Sequence, residues 1–356
     1  MKILHSADWH LDSPLTGFPA EQTRLLRQNL LALPDHIAKL CRREGCDLML
    51  LCGDLFDGPY SRQSLDVLRA ALEEAAIPVF ICPGNHDPAT SDSPWTKESW
   101  PANVHIFTSP HWESVDLPNL NCRVYGAGYT SMDCPPLLEG FRAEGDCAHV
   151  IAMIHGDPTT HNSPCCPVTH AQVMDSALDY LALGHIHRGD NFLAGSTLCA
   201  WPGCPMGRGF DETGAKGVLL VTLEESAEVQ FLPLPYPGFY DLQIREPEDP
   251  VQELHRLLPP VGNEDFYRIT FTGPSEELDL QTLRLEFSRF PNLILRDHTT
   301  APVDIWRSAG EDSLEGAYFA ALRDAISAAD PTQARRLQLA AKLSRQILDG
   351  QEVTLP

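Results

Sequence analysis

Side chains that commonly bind metal ions stand just past the carboxyl ends of five apolar runs in this sequence. In chain order they are Asp8 and His10 in HSADWH, Asp54 and Asp57 in GDLFD, Asn85, His86 and Asp87 in GNHD, His155 in MIHGD, and His185 and His187 in GHIH. Imidazole, carboxylate and amide oxygen ligands suit Mn, Fe or Zn better than the softer ions that prefer thiolates. The pattern therefore predicts a centre of two divalent metal ions, with Mn as the first expectation and Fe or Zn as alternatives.

The spacing within these motifs indicates how a pair of ions would work. Asp8 and His10, like His185 and His187, are two residues apart, so extended backbone points both side chains the same way. A carboxylate such as Asp54 can bridge two cations about 3.5–4 Å apart and provide a metal-activated hydroxide for in-line attack on phosphorus. A structural interpretation also exists, because strands often end in Gly-Asp turns. The ordered set D-x-H, GD-x-x-D, GNHD, H and GH-x-H is specific, whereas each motif alone is weak.

The first 235 residues alternate β-like apolar runs with helical stretches, which predicts an α/β fold. Periodicity of 3.6 residues predicts helices near 21–43 and 61–76 between the first strands. Such repeats indicate a parallel or mixed sheet with helices on its faces, and the later strands, which bring fewer helices, indicate a second sheet packed on the first. Because loops at the carboxyl ends of these strands converge on one edge, we expect the ligands to meet there.

The length of 356 residues predicts more than one domain, since single cores usually stop growing below this size. A Pro/Gly-rich hinge at 233–238 makes 1–235 the expected first domain. Residues 239–305 have the pattern of a compact α+β unit, with helices expected at 250–258 and 278–290. Residues 313–356 are rich in Ala and Leu and are expected to be helical.

The ordered motif set resembles that of the calcineurin-like metallophosphoesterase superfamily over the first 235 residues. The resemblance implies a two-sheet αββα sandwich with a smaller α+β cap domain and C-terminal helices. It also implies one metal held by Asp8, His10, Asp54 and His187, and a second held by Asp54, Asn85, His155 and His185. His86 would act as the general acid near the scissile phosphate, and Asp57 or Asp87 would hold its imidazole.

Within that superfamily, protein phosphatases carry Arg after the second motif and Glu at the end of the third, whereas this chain has GDLFDGP and GNHD. The strings ILHSADWHLDSPL and GRGFDETGAKGVLLVTL resemble the SbcD-type DNA repair exonucleases, in particular a YhaO-like branch. That resemblance implies DNA as substrate, an SbcC-like ABC-type coiled-coil ATPase as partner, and a possible homodimer. Some members of the branch have His where this chain has Asp57.

Two other functions stay open. One is a small-molecule or cyclic-nucleotide phosphodiesterase or phosphatase with the same dinuclear centre. The other is a mainly structural subunit that organises an ATPase, although degenerate members of the family should lose ligands first. Activity on cyclic nucleotides without activity on DNA would favour the first of these.

Four further side chains are weaker candidates for substrate contacts. Trp9 has the aromatic ring needed to stack on a base, although a core position explains it equally well. Arg188 and Arg208 could contact phosphate, as could Lys216, and exposed solubility is the equal alternative for all three. In the C-terminal segment, Leu339, Ala340, Leu343 and Ile347 share one helical stripe, with Arg335, Arg336, Lys342 and Arg345 as local positive charge. This stripe predicts either a partner-docking helix or a helix packed on its own domain.

Charge and composition limit the class of protein. A formal charge of −23 argues against holding nucleic acid by a basic surface alone. No apolar run approaches the roughly 20 residues that span a bilayer, and the N-terminus lacks the pattern of a secretory signal, so we expect a cytoplasmic protein without membrane association. The 11 cysteines are expected to be mostly reduced and buried. The string HNSPCCPVTH, with His161, Cys165, Cys166 and His170, lacks the C-x-x-C spacing of common zinc sites.

Overall fold

The structure is a computed structural model and describes residues 1–302 and 304–350. Residue 303 of the predicted cap and residues 351–356 of the predicted C-terminal segment lie outside this range. The described chain divides into two compact units. The first contains Met1–Leu242, Gly262–Arg268 and Ser288–Ile294, and the second contains Gln243–Val261, Ile269–Phe287 and the residues from Leu295 onward.

The strands of the described chain are β1 (Lys2–Ser6), β2 (Leu48–Leu51), β3 (Val79–Ile81), β4 (Val104–Ile106), β5 (Glu113–Leu117), β6 (Cys122–Gly126), β7 (His149–His155), β8 (Tyr180–Gly184), β9 (Arg188–Ala194), β10 (Thr197–Gly203), β11 (Gly217–Leu223), β12 (Ala227–Pro233), β13 (Phe239–Arg245), β14 (Phe266–Pro274) and β15 (Leu293–Thr300). The α-helices are α1 (Ala20–Arg43), α2 (Arg62–Ala75), α3 (Pro94–Lys97), α4 (His170–Asp175), α5 (Pro250–Leu257), α6 (Leu280–Glu286), α7 (Leu314–Ala328) and α8 (Pro331–Leu348). Among these, no helix has both the length and the apolar character that a bilayer span requires.

Two six-stranded sheets form the body of the first unit. Their strand orders are β12-β11-β1-β2-β3-β4 and β5-β6-β7-β8-β10-β9. The pairs β1/β2, β2/β3 and β7/β8 are parallel, so the carboxyl ends of these strands share an edge in each sheet. This arrangement confirms the predicted α/β class and the two-sheet sandwich.

Alternation along the strands explains why the sheets stack. Leu4 and Met49 point into an apolar cluster with α1 and α2, whereas Ile3 and Leu50 point into a second cluster that includes Ile151 of the other sheet. Because successive side chains of a strand face opposite sides, both faces of these buried strands are apolar. The second cluster therefore lies between the two sheets.

The helix bounds follow local signals. Helix α2 begins after Ser61, whose side chain accepts a hydrogen bond from the Ser64 N–H, and it ends at Ala76 with φ of 55°. Helix α1 contains Pro34 and continues through it to Arg43, as the periodicity predicted. Ten of the 11 cysteines are buried, as predicted, and Cys147 is half-buried.

The strands β13, β14 and β15 form a three-stranded sheet. In the second unit, α8 packs against α7 through Ala341 and Arg345, which are 0% and 1% exposed. Arg345 ion-pairs with Glu315, donates to Ser308 and stacks on the Phe319 ring. The expectation that Arg345 adds positive charge to an outer surface is therefore wrong, because its guanidinium is buried among these partners.

Candidate metal centre

The loops that follow β1 and β2 run side by side at the edge of the first sheet. The N–H groups of Asp8 and His10 donate to the carbonyl oxygens of Gly53 and Asp54 at 3.0 and 2.9 Å. Asp8, His10 and Asp54 have φ of 56°, 48° and 53°, a left-handed region that side chains other than Gly seldom adopt. Such strain persists only where the surrounding structure fixes the backbone, and it concentrates at functional sites.

The first predicted ligand set comes together from both sheets. Ligand atoms of Asp8, His10 and His187 all lie within 4.8 Å of one another. The Nε2 atoms of His10 and His187 are 3.2 Å apart, and His10 Nε2 is 3.8 Å from Asp54 Oδ2. Asp8 and Asp54 are 1% and 2% exposed, so both carboxylates are withdrawn from water.

The second predicted set surrounds the other side of Asp54. His155 Nε2 lies 3.3 Å from Asp54 Oδ2 and 3.0 Å from Asn85 Oδ1. His185 Nδ1 lies 3.1 Å from the same Asn85 oxygen. The Asp54 carboxylate thus contacts imidazoles of both sets, which is the position that a bridging ligand needs.

The donor atoms around His155 fit a cation. The Nδ1 atom of His155 donates to the Cys52 carbonyl at 2.9 Å, which leaves the Nε2 lone pair facing the acceptor oxygens of Asp54 and Asn85. Acceptors that face one another repel unless a proton or a metal ion lies between them. Burial alone would lower the pKa of His155, yet the Asp54 carboxylate raises it to about 10, so the surroundings of this nitrogen favour a positive charge.

The same logic applies to His10 and His187. His187 Nδ1 hydrogen-bonds to Glu212 Oε1 at 2.7 Å, and His10 Nδ1 lies 3.4 Å from Asp57 Oδ1. These contacts place the ring hydrogens on Nδ1 and leave two Nε2 lone pairs facing each other. The residues present therefore fit a pair of divalent metal ions.

The GNHD motif supplies one ligand, one exposed imidazole and one structural carboxylate. His86 Nδ1 lies 2.8 Å from Asp57 Oδ1, and that hydrogen bond raises the pKa of His86. Hydrogen bonds from His10 and His86 in turn lower the pKa of Asp57. The side chain of His86 is 47% exposed, so it stands at the mouth of the site.

Asp87 has a different position from the one expected for a partner of His86. It is 4% exposed, and its carboxylate accepts from the backbone N–H groups of Asp54, Leu55, Phe56 and Gly84 at 2.8–3.2 Å. It fixes the loops that carry Asp54 and Asn85. Asp57, rather than Asp87, is hydrogen-bonded to the imidazole of His86.

Glu212 is a residue of the site that the sequence interpretation missed. Its 4% exposed carboxylate binds His187 Nδ1 and also accepts from the Arg208 N–H, Nε and Nη2 groups at 2.7, 3.3 and 2.5 Å. Burial opposes ionisation of Glu212, but the hydrogen bonds from His187 and Arg208 outweigh it and lower its pKa. Glu212 stands in the string GRGFDETG, which indicates the family branch and Arg208 as a possible phosphate contact but does not single out this carboxylate.

Three of the four weaker candidates, Trp9, Arg208 and Arg188, have separate outcomes. Trp9 is 1% exposed and its Nε1–H donates to Ser6 Oγ, so the stacking role is wrong because the ring lies in the core. Arg208 is held by Glu212 beside His187 rather than projecting freely to phosphate. Arg188 begins β9 and is exposed. The side chains of His161, Cys165, Cys166 and His170 do not form a shared metal cluster within the described residues.

Comparison with known proteins bears on the first unit. The family model described as "Calcineurin-like phosphoesterase" matches residues 1–189. The uncharacterized metallophosphoesterase YhaO of Bacillus subtilis is 33% identical over 234 residues, which is 62% of this chain and 57% of that protein. This chain therefore spans less than two thirds of that relative.

Two more similarities were found. The SbcD subunit of the nuclease SbcCD from Bacillus subtilis is 25% identical over 273 residues, covering 64% of this chain and 68% of that protein. A solved dimetal phosphatase from Danio rerio is 13% identical with a TM-score of 0.43, over 65% of this chain and 98% of that one. Because the family model covers more than half of the chain, the chain belongs to the calcineurin-like phosphoesterase family, and its curated relatives place it in the branch that includes YhaO and the SbcD nuclease subunit.

Proposed function

We propose that this protein is a metal-dependent phosphodiesterase that hydrolyses DNA with two divalent ions, Mn first among the candidates. One observation carries the proposal: around Asp54, nitrogen and oxygen atoms that can bind a metal face one another at 3.0–3.8 Å. Beside them lies the exposed His86 with its hydrogen-bond partner Asp57. When bound, two such cations supply Lewis acidity and a nucleophile from water for phosphoester hydrolysis.

The residues of the chain itself have two tasks. Asp54, the imidazoles and Asn85 hold the cations at fixed positions, and Asp87 fixes the loops behind them. His86 is oriented through Nδ1 by Asp57, which leaves Nε2 as the ring nitrogen that can carry the second proton. A proton on that nitrogen passes to the leaving oxygen as the phosphorus–oxygen bond breaks, which is general acid catalysis.

Two features support a diester of DNA as the substrate. The residue after Asp57 is Gly58, where the family's protein phosphatases have Arg, so the cation that clamps a phosphomonoester is missing from that position. The SbcD relative is named as a nuclease subunit. A small phosphodiester is the second candidate, because the charge of −23 disfavours a long polyanion away from the metal centre.

A partner ATPase is part of the proposal. The SbcD relative is named as one part of the nuclease SbcCD, and an SbcC-like ABC-type coiled-coil ATPase would supply the basic DNA track that this acidic chain lacks. Helix α8 leaves Leu339 and Ile347 of the predicted stripe 38% and 63% exposed. Replacing both with Glu should abolish co-purification with an SbcC-like ATPase from the same organism without lowering hydrolysis of a small ester. Retained co-purification would exclude α8 as the docking helix.

The first experiment measures Mn-dependent hydrolysis of end-labelled linear DNA and of bis-p-nitrophenyl phosphate by the purified protein. His86→Ala should remove most turnover of both substrates while Mn content stays constant, and the exposed His111→Ala serves as the matched control. Cleavage of the small ester alone would favour the second candidate. Full Mn occupancy without turnover on either substrate would favour a structural subunit.

A further inference from the structure

A cavity of about 390 Å³ is lined in part by His187. It lies wholly within the first unit and is lined in part by Arg188, Asp190, Asn191, Trp201, Lys216 and Phe231. Ligand pockets in proteins commonly have about 300–1,000 Å³. We propose that this cavity binds a nucleotide of the DNA strand that neighbours the phosphate at the metal centre. The inference rests on the proposed nuclease function and adds a substrate subsite to it.

The charges that line the cavity favour a phosphate. The Lys216 ammonium donates to the His187 carbonyl oxygen at 3.1 Å, so a cation stands against the peptide of a predicted metal ligand. Arg188, the next residue, is exposed, and its guanidinium makes no ion pair within the described residues. Asp190 lines the same cavity, so the two cations outnumber the carboxylate. In a chain of charge −23, such a local surplus of cations next to the reacting centre is where a nucleic-acid backbone can bind.

An aromatic ring, that of Phe231, lines the cavity from β12, the strand that pairs with β11. Phe231 of β12 lines the cavity and is 42% exposed, although its cross-strand partner Leu219 is 7% exposed. Exposed aromatic rings provide platforms on which nucleic-acid bases stack without sequence preference. The cavity thus combines cations for a phosphate with a ring for the adjoining base.

The backbone of Arg188, one of the two cations that line the cavity, is held in place by the sheet that contains β9 and β10. Arg188 pairs with Gly203 in the β9–β10 ladder, and Trp201 Nε1–H donates to the Arg188 carbonyl oxygen at 2.9 Å. The backbone that carries Arg188 is therefore fixed before substrate arrives, which reduces the ordering cost of binding.

The test compares Phe231→Ala and Arg188→Ala with the exposed controls Leu193→Ala and Arg24→Ala. Phe231→Ala should lower kcat/KM for end-labelled DNA about 10-fold more than kcat/KM for bis-p-nitrophenyl phosphate, because only DNA offers a base to stack. Binding of a fluorescent single-stranded oligonucleotide is measured in a His86→Ala background. There Arg188→Ala should reduce the slope of log K against log salt by about 0.7, the amount expected for one phosphate contact.

The outcomes separate this inference from the proposed function. If the wild-type protein cleaves DNA and the ratio of the two activities is unchanged by Phe231→Ala, with the salt slope unchanged by Arg188→Ala, the cavity is not a nucleotide subsite and the nuclease function stands. If the wild-type protein cleaves only the small ester even with an SbcC-like ATPase partner present, the nuclease function fails and the subsite fails with it. Inhibition of small-ester turnover by dAMP that both substitutions weaken, with DNA cleavage unaffected, would assign the cavity to a free nucleotide instead.

Discussion

Replacing Glu212 tests whether a carboxylate outside the predicted ligand set controls the metal centre. In the structure Glu212 fixes the ring hydrogen of His187 on Nδ1, so that Nε2 offers its lone pair toward His10 and Asp8. A Gln at this position keeps the volume but removes the charge that both His187 and Arg208 contact. His187 is then free to hold its hydrogen on Nε2, which blocks metal binding at that nitrogen.

The magnitude follows from these contacts. Loss of a carboxylate partner behind a metal-binding His typically weakens metal affinity about 10- to 100-fold, or about 1.4–2.7 kcal/mol. We expect Glu212→Gln near the lower end, since an amide oxygen still accepts one hydrogen bond, and Glu212→Ala near the upper end. Glu212→Ala should also lower the free energy of unfolding by about 3 kcal/mol, because the largely buried Arg208 loses its ion-pair partner.

The assay is equilibrium dialysis of the metal-free variants against Mn²⁺, with bound metal measured by mass spectrometry and the fold checked by circular dichroism. The exposed Glu225→Gln is the matched control, because it removes the same charge 13 residues further along the chain. We expect the Glu212 variants to bind Mn²⁺ more weakly than the wild-type protein at one of the two sites. A folded Glu212→Gln protein that binds both Mn ions within twofold of the wild-type affinity would refute the reasoning.

Three further predictions concern single residues of the site and its support. Asp57→Asn should lower kcat on bis-p-nitrophenyl phosphate about 10- to 100-fold, because general acid catalysis contributes roughly 10²–10⁴-fold and Asp57 orients the acid; an unchanged kcat would contradict this role. Asp54→Asn should release at least one Mn per chain in metal analysis, and full occupancy would rule out a bridging ligand. Gly184→Ala should lower the free energy of unfolding in urea by about 3 kcal/mol, because its Cβ would lie 1.9 Å from the Cys52 carbonyl oxygen. Gly310→Ala, with no atom within 4 Å of its Cβ, is the control, and equal stability of the two variants would contradict the predicted clash.

The acidic charge of the chain limits how it would bind DNA under the proposed function. A surface of net charge −23 repels a polyanion at long range, and salt screens that repulsion over about 8–10 Å. Under the proposed function, productive contact with DNA would therefore depend on the metal ions, on the two cations beside His187, and on the proposed ATPase partner. Salt screens this repulsion least at low ionic strength. Lowering the ionic strength is therefore expected to slow DNA cleavage by the isolated chain more than it slows hydrolysis of the small ester.

The sequence by itself determined the strand ends and the ligand types. Parallel strands place their carboxyl ends on one edge, so apolar runs followed by Asp8, Asp54 and Asn85 indicated a shared site without further information. The same regularity made α1 and α2 predictable, because 3.6-residue periodicity is a local property.

Tertiary structure alone decided which side chains meet outside these regular elements. Glu212 lies 25 residues after His187 in a glycine-rich turn, and no local spacing relates the two. Trp9 stands between two predicted ligands in the sequence, yet its ring lies in the core while theirs face the site. Arg345 has the charge of a surface residue and is buried against α7. In each case the position depends on packing between segments distant in sequence, and hydrophobic periodicity carries no information about such contacts.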